Sequence, residues 1–436
     1  MRIAIIGGGI SGLVAAYHLC RDHAITLFEA NGYLGGHTNT VEVTVAGQRQ
    51  AVDTGFIVFN DRTYPAFVRL LDELRVPSFA TDMSFSVRCQ QSGLEYCGSS
   101  LNGLLAQRKN LLRPAFYRLV RDILRFNRLA PRQFNGLRHD QTVDDYIASQ
   151  GLSREFAEWY LLPMGSAIWS CPRTSFGRFP IRFIIEFYRH HGLLSLTDRP
   201  TWRVVEGGSR TYVERLTRPF LDRTRTNSPV VGVRRDQLGV QIIPRGQPAE
   251  VFDHVVFACH SDQALRMLGD GATPLEHEVL EAFPYQKNIA VLHTDRRMLP
   301  RSRRAWASWN YLLPTNGDDG ATVTYHMNRL QHLQSSEEIC VTLNGEQQID
   351  PAKILRRFEY QHPVFTTRRQ LAQARHSDLL LANRTSYCGA YWGNGFHEDG
   401  VQSGLAVCAA LQGSDPCSVF SFQDSERHEP HSTAAS

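Results

Sequence analysis

Lysine is scarce in this 436-residue chain: Lys109, Lys287 and Lys353 stand alone, and arginine supplies the rest of the 47 basic residues. Against 43 acidic residues the net charge is only +4, too slight to argue for a nucleic-acid partner. No apolar run approaches the ~20 residues that a membrane-crossing helix needs. No secretory leader precedes the first strand-like run, so the expected location is cytoplasmic. The nine cysteines include no Cys-x-x-Cys pair. That speaks against a zinc site or a disulfide framework and for scattered reduced thiols. What is plentiful is ordinary. Hydrophobic residues at 42% and charged residues at 21% fit a globular protein, with length for about three domains. Only the polar end, 423–436, has too little to bury, and it is expected to be disordered.

The strongest local signal lies in the first thirty residues. Ile3-Ala4-Ile5-Ile6 has the unbroken apolar character of a buried parallel strand, and Gly7-Gly8-Gly9-Ile10-Ser11-Gly12 follows at once. Leu13, Val14, Tyr17 and Leu19 then recur at helical spacing, and a second apolar strand from Ile25 to Phe28 ends on Glu29. Gly-x-Gly-x-x-Gly alone is a weak motif; between a strand and a helix, with an acid closing the next strand, it specifies a dinucleotide site. Gly7 allows the tight turn, Gly9 a close backbone approach to a pyrophosphate, and Gly12 close helix packing. Ile10 and Ser11 open the helix whose N–H groups favour phosphate, and Glu29 can accept from a ribose diol. Gly207-Gly208 and Gly393-x-Gly395 lack a preceding strand and the right spacing, so one dinucleotide is expected.

Beyond Glu29 the run Ala30 to Thr40, with Gly35-Gly36-His37-Thr38, resembles the flavin-containing amine oxidase and phytoene desaturase superfamily. Asp53-Thr54-Gly55, Pro229-Val230-Val231, Val255 to Cys259, Cys388-Gly389-Ala390-Tyr391-Trp392 and Glu398 to Gly404 resemble further elements of that family, in order. The resemblance implies non-covalent FAD. Its implied contacts are Ala30, Gly35, Gly36, His37, Thr38 and Gly55, with Val230 at the adenine and Gly389, Ala390, Glu398 and Val401 toward the flavin. His37 departs from the arginine that many amine oxidases carry after Gly-Gly, which weakens one diphosphate contact. The helix start after Phe396 is expected to stabilise an anionic reduced flavin.

The same resemblance sets Lys287 at the approximate place of a lysine that holds a water near flavin N5; a surface lysine at a strand start is the alternative. Phe396 lies near the expected aromatic-cage tyrosine, and without a hydroxyl it suits an apolar substrate. Tyr391 and Trp392 are either substrate-contacting or packing aromatics. His397, Glu398 and His293 are candidates for proton handling or for structural hydrogen bonding. The motifs Asp53 to Asn60, Trp306 to Tyr311 and Gly395 to Gly400 look more like a bacterial branch of predicted NAD/FAD-binding proteins associated with unsaturated fatty acyl chains. The function this implies is FAD-dependent desaturation of an acyl chain by hydride transfer to flavin N5. Amine oxidation with peroxide release, lipid double-bond isomerisation and a non-catalytic flavin-bearing partner are the alternatives.

The fold class expected is α/β: a Rossmann-like FAD domain of the GR2 type from 1–60, 200–270 and 385–415, interleaved with a mixed α+β substrate domain from 61–199 and 271–384. Within the latter, Arg118, Arg121, Arg125, Arg128 and Arg132 recur at helical spacing beside Phe116, Leu119, Val120, Ile123 and Phe126. Such a helix over 116–132 suits either peripheral contact with an anionic membrane or an ordinary solvated face.

Overall fold

The Ile3–Ile6 run pairs on both sides, as an unbroken apolar strand must if both faces are buried. The computed structural model describes residues 1–98, 100–195, 199–315 and 321–415; the segment expected to be disordered, 423–436, lies outside them. The chain forms two compact units that interleave along the sequence. Unit 1 is Met1–Gly36, Val213–Ala282 and Leu371–Ser436; unit 2 is His37–Tyr212 and Phe283–Gln370.

These boundaries differ from the expected ones. The first crossing comes after residue 36 instead of 60, because Thr40–Val45 pairs antiparallel with Gln48–Asp53 inside unit 2. Ser209 belongs with them, its N–H and hydroxyl donating to the Asp53 carboxylate, so the return to unit 1 waits until residue 213. Unit 1 then runs to 282 and resumes at 371.

Unit 1 is built on an all-parallel five-stranded sheet. Its strands are β1 (Arg2–Ile6), β2 (Ala24–Phe28), β3 (Thr224–Arg225), β4 (His254–Phe257) and β5 (Thr385–Tyr387), in the spatial order β3-β2-β1-β4-β5. Helix α1 (Ile10–Leu19) links β1 to β2, and α2 (His397–Leu411) packs along α1. Both helices are mostly buried, which their small and apolar residues permit. The stretch 250–257 holds two strands, Glu250–Phe252 and β4, and Glu250–Phe252 completes a three-stranded antiparallel sheet with Val230–Arg235 and Val240–Pro244. Arg235 from that sheet is held by Glu276 at 2.5 Å, and Tyr387 donates to the same carboxylate at 2.6 Å. This buried network drives the Glu276 carboxyl down to about 2 despite the opposing cost of burial.

Unit 2 carries a seven-stranded sheet ordered Ile354–Pro363, Tyr285–His293, Cys340–Leu343, Thr322–His326, Trp309–Leu313, Phe85–Cys89 and Leu94–Cys97. Its pairings are antiparallel except that of Trp309–Leu313 with Phe85–Cys89. The stretch between 101 and 190 is mainly helical, with Pro114–Gln133 the longest helix. No helix among the described residues is long and apolar enough to cross a membrane.

Candidate functional site

The turn after β1 is tight. Gly7 has φ +113°, a conformation that costs an L side chain dearly, and its N–H donates to Phe28 O at 2.8 Å. A Cβ on Gly12 would lie 2.0 Å from Gly7 O, so the first turn of α1 can sit against the strand end only with glycine there. At Gly9 an added Cβ would meet nothing within 4 Å: the space before the helix is open. No side chain caps α1, and its first turn, from Ile10 through Ser11 and Gly12, holds no acid. The positive end of its dipole is therefore unopposed by its own sequence.

The second glycine pair lands on the first. Gly35 N–H donates to Gly8 O at 2.7 Å, and Gly36, at φ +59°, packs its α-carbon region against Gly9. Glu29 is buried at the end of β2 and accepts from Gly8 N–H at 2.7 Å and from Asn31 N–H and Nδ2 at 2.8 Å each. Ala30 is exposed beyond it. Backbone bonds from Asn227 to Asn31 and from Ser228 to Glu29, both 2.9 Å, bring the segment leading into Val230 alongside. Ser228 Oγ is buried and has no hydrogen-bond partner among the described residues. Sequence reasoning missed it; its place just before the Pro229-Val230 motif was the available signal.

The start of α2 converges on the same place. A Cβ on Gly400 would lie 2.6 Å from Ile10 Cγ2, with Ser11 Oγ and Ala390 Cβ close by. Gly389 N–H donates to Ser403 Oγ at 2.9 Å, so the loop before α2 is tied to the helix it introduces. Val401 is buried in the second turn region of that contact. The dipole expected to act here is partly offset by Glu398 and Asp399 in its first turn. Asp399 accepts from Phe396 N–H at 2.7 Å, and Glu398 accepts from Gln402 Nε2 at 2.8 Å. His397 is buried, and burial pushes its imidazole down to about 3, so the ring is neutral at ordinary pH. Phe396 is half-buried at the helix N-cap.

Several expected site residues take other places. Tyr391 and Trp392 are buried packing residues: Trp392 stacks on His376 at 4.1 Å, and Gln373 donates to the Tyr391 carbonyl at 2.9 Å. Lys287 is exposed and pairs with Glu359 at 2.5 Å on the neighbouring strand, the surface-lysine alternative. His293 lies inside the large sheet with both ring nitrogens engaged. Its Nδ1 accepts from Asp295 N–H at 3.0 Å, which leaves Nε2 to donate to Thr342 Oγ1 at 2.7 Å. That is a structural histidine, and burial lowers its pKa to about 4.

His37, Thr38 and Gly55 gather within unit 2. The His37 ring stacks on Tyr360 at 5.1 Å, and Thr38 Oγ1 shares a hydrogen bond of 2.6 Å with Tyr212. A Cβ on Gly55 would lie 2.1 Å from His37 O. Asp53, two residues earlier, is fully buried against Thr40, Ser209 and Gln331, and burial raises it to about 6. Cys388 is a buried thiol pushed well above its usual range, inert in that state.

The family model for flavin-containing amine oxidoreductases matches residues 10–316, most of the chain. No curated protein matches at a significant level. Among solved structures, cyclohexylamine oxidase from Brevibacterium oxydans IH-35A is 15% identical with a TM-score of 0.67, covering 94% of this chain and 98% of its own. The CLA-producing fatty acid isomerase from P. acnes is 14% identical with a TM-score of 0.65, at the same coverage of 94% and 98%. Reduced UDP-galactopyranose mutase is 14% identical with a TM-score of 0.66, covering 96% and 97%. At such identities the likeness is one of fold.

Proposed function

Because the chain belongs to the flavin-containing amine oxidoreductases, we propose that this FAD-dependent oxidoreductase acts on an apolar acyl chain, which it desaturates. When bound, FAD supplies a two-electron acceptor that takes a hydride from a substrate carbon at N5. The residues present fit that cofactor. The open space at Gly9, the uncapped start of α1 and the orphaned Ser228 hydroxyl lie at the carboxyl ends of strands in unit 1 and make a polar cradle there. Ile10, Ser11 and Gly12, with Gly35 and Gly36, would hold the diphosphate; Glu29 would accept from the ribose, and Val230 would lie at the adenine. Gly389, Ala390 and the start of α2 would face the flavin end. The attachment is taken to be non-covalent, as the resemblance implies.

The acyl reading is carried by one observation in unit 2. Trp169, Phe176, Phe179, Phe183 and Phe365 form an aromatic cluster, and the fully buried Arg369 sets its guanidinium 3.7 Å from the Phe365 ring centre. We read this cluster as suited to an alkyl chain and, with a guanidinium already among the rings, poorly suited to an ammonium-bearing substrate. Of the proton-handling candidates, His397 and Glu398 remain, side by side at the start of α2. Burial keeps the His397 ring neutral and opposes its protonation, which speaks against its acting as the base.

Anaerobic mixing tests the proposal. Unsaturated fatty acids or their phospholipid esters are expected to bleach the flavin absorbance, and cyclohexylamine and putrescine are not. Bleaching by amines with no response to acyl lipids would overturn it. Double-bond migration without accumulation of reduced flavin would replace desaturation with isomerisation, the activity named for the fatty acid isomerase of the same fold.

A further inference from the structure

We propose that unit 2 carries a docking face for an anionic lipid bilayer, formed by the turn Arg108–Leu112 and the outward stripe of the helix Pro114–Gln133. The helix has two distinct faces. Phe116, Leu119, Phe126 and Ala130 are buried at helical spacing and anchor it to the unit. The apolar residues that the sequence pattern would offer to a membrane are therefore largely spent in the core. Arg118 is paired with Glu155 and Arg121 with the buried Asp122, so two of the expected cations are neutralised by partners within the unit.

The outward stripe runs Tyr117, Arg121, Leu124, Arg128, residues that share one face by their spacing. Tyr117 and Leu124 are more than half exposed, and Leu112, at 86%, is among the most exposed large apolar side chains described. Leu111 stands beside it, and Tyr117 Oη donates to Leu111 O at 2.8 Å, joining turn and helix into one surface. Arg108 and Lys109 flank the leucines, and Arg125, Arg128 and Arg132 continue the positive charge along the helix, without a carboxylate partner among the described residues. Between Arg108 and Arg132 the sequence has one acid, Asp122, and that acid is buried.

Protruding leucines ringed by arginines have little to gain from water and match two features of one partner. The headgroups of anionic lipids meet the cations, and the outer acyl region takes Leu111, Leu112, Tyr117 and Leu124. The charge pattern selects this occupant over a neutral apolar partner. The face stands whatever the substrate proves to be, so its test is one of binding, separate from turnover.

Purified full-length protein with its flavin is sedimented with vesicles of phosphatidylcholine alone, and with vesicles containing an equal share of phosphatidylglycerol. Binding is expected only to the anionic vesicles, and to fade as salt rises through the range where the screening length falls below about 8 Å. Leu111→Ser/Leu112→Ser is expected to weaken it about tenfold, and Arg125→Gln/Arg128→Gln about fivefold for each charge removed. All four side chains are at least partly exposed, and retained flavin absorbance reports an intact fold. Failure of the wild type to bind anionic vesicles at low salt overturns the proposal, as does binding that both variants retain in full. A wild-type dimer that dissolves on Leu112→Ser would also overturn it, by assigning the face to a second copy of the chain.

Discussion

A Cβ added at Gly404 would lie 2.7 Å from the backbone oxygen of Ser11, so α1 and α2 touch backbone to side-chainless backbone just behind the paired helix starts. Ser11 O cannot swing aside as a side-chain tip would, and any larger residue must push α2 away. Gly404→Val is expected to cost about 1–3 kcal/mol of stability and to lower FAD affinity, because the α2 start moves with its helix. Chemical denaturation and flavin titration of the apoprotein check this; a variant with unchanged FAD affinity would show that the helix contact does not set the site.

Glu29 is predicted to be the most sensitive single side chain for cofactor retention. Its carboxylate already orders Gly8 and Asn31, and it stands where a ribose diol would donate. Replacement by alanine is expected to weaken FAD binding about tenfold to a hundredfold, the worth of hydrogen bonds to a charged acceptor. Glu29→Gln, which keeps one acceptor oxygen, should lose less. Fluorescence of released flavin measures both.

Acid is expected to destabilise the protein before most of its carboxylates titrate. Burial lowers His293 and His376 from 6.5 to about 4, so the unfolded chain takes up protons that the folded chain refuses. Their contribution is complete above pH 6.5 and is lost as pH falls toward 4, on the order of 3 kcal/mol for each. Asp53, raised by burial to about 6, acts in the opposite sense, gaining a proton in the folded state first and offsetting part of the loss. Urea midpoints between pH 7 and 4 should fall for the wild type and fall less for His293→Gln, which can still bridge Thr342 and Asp295. A midpoint independent of pH in the wild type would contradict the assignment.

Lys287 is predicted to be dispensable for the chemistry. Its ammonium is bound to Glu359 on an exposed strand pair, where such bridges contribute little. Lys287→Met should leave the rate of anaerobic flavin reduction within about twofold; a drop of several orders of magnitude would restore the catalytic reading.

The dinucleotide half of the site was legible because its determinants are local. Gly7 and Gly12 are required by one turn, Gly9 leaves the space before the helix open, and Glu29 follows from where the next strand ends, so spacing along the chain carries the geometry. The apolar strands around them are likewise decided by runs of four or five residues. Where the polar and aromatic candidates sit was decided elsewhere. His293 is structural because Thr342, distant in sequence, meets it across the sheet, and Lys287 is a surface residue because Glu359 lies on the neighbouring strand. Trp392 became packing once His376 stacked beneath it. The helix at 114–133 was written in its periodicity, but periodicity does not say which stripe the rest of the fold will bury. Only tertiary packing turned Phe116 and Phe126 inward, gave Arg118 its acid, and left Leu112 and Leu124 in water. A side chain's chemistry is inherited from the sequence; its partner, and hence its charge and exposure, comes from whichever distant segment the fold brings against it.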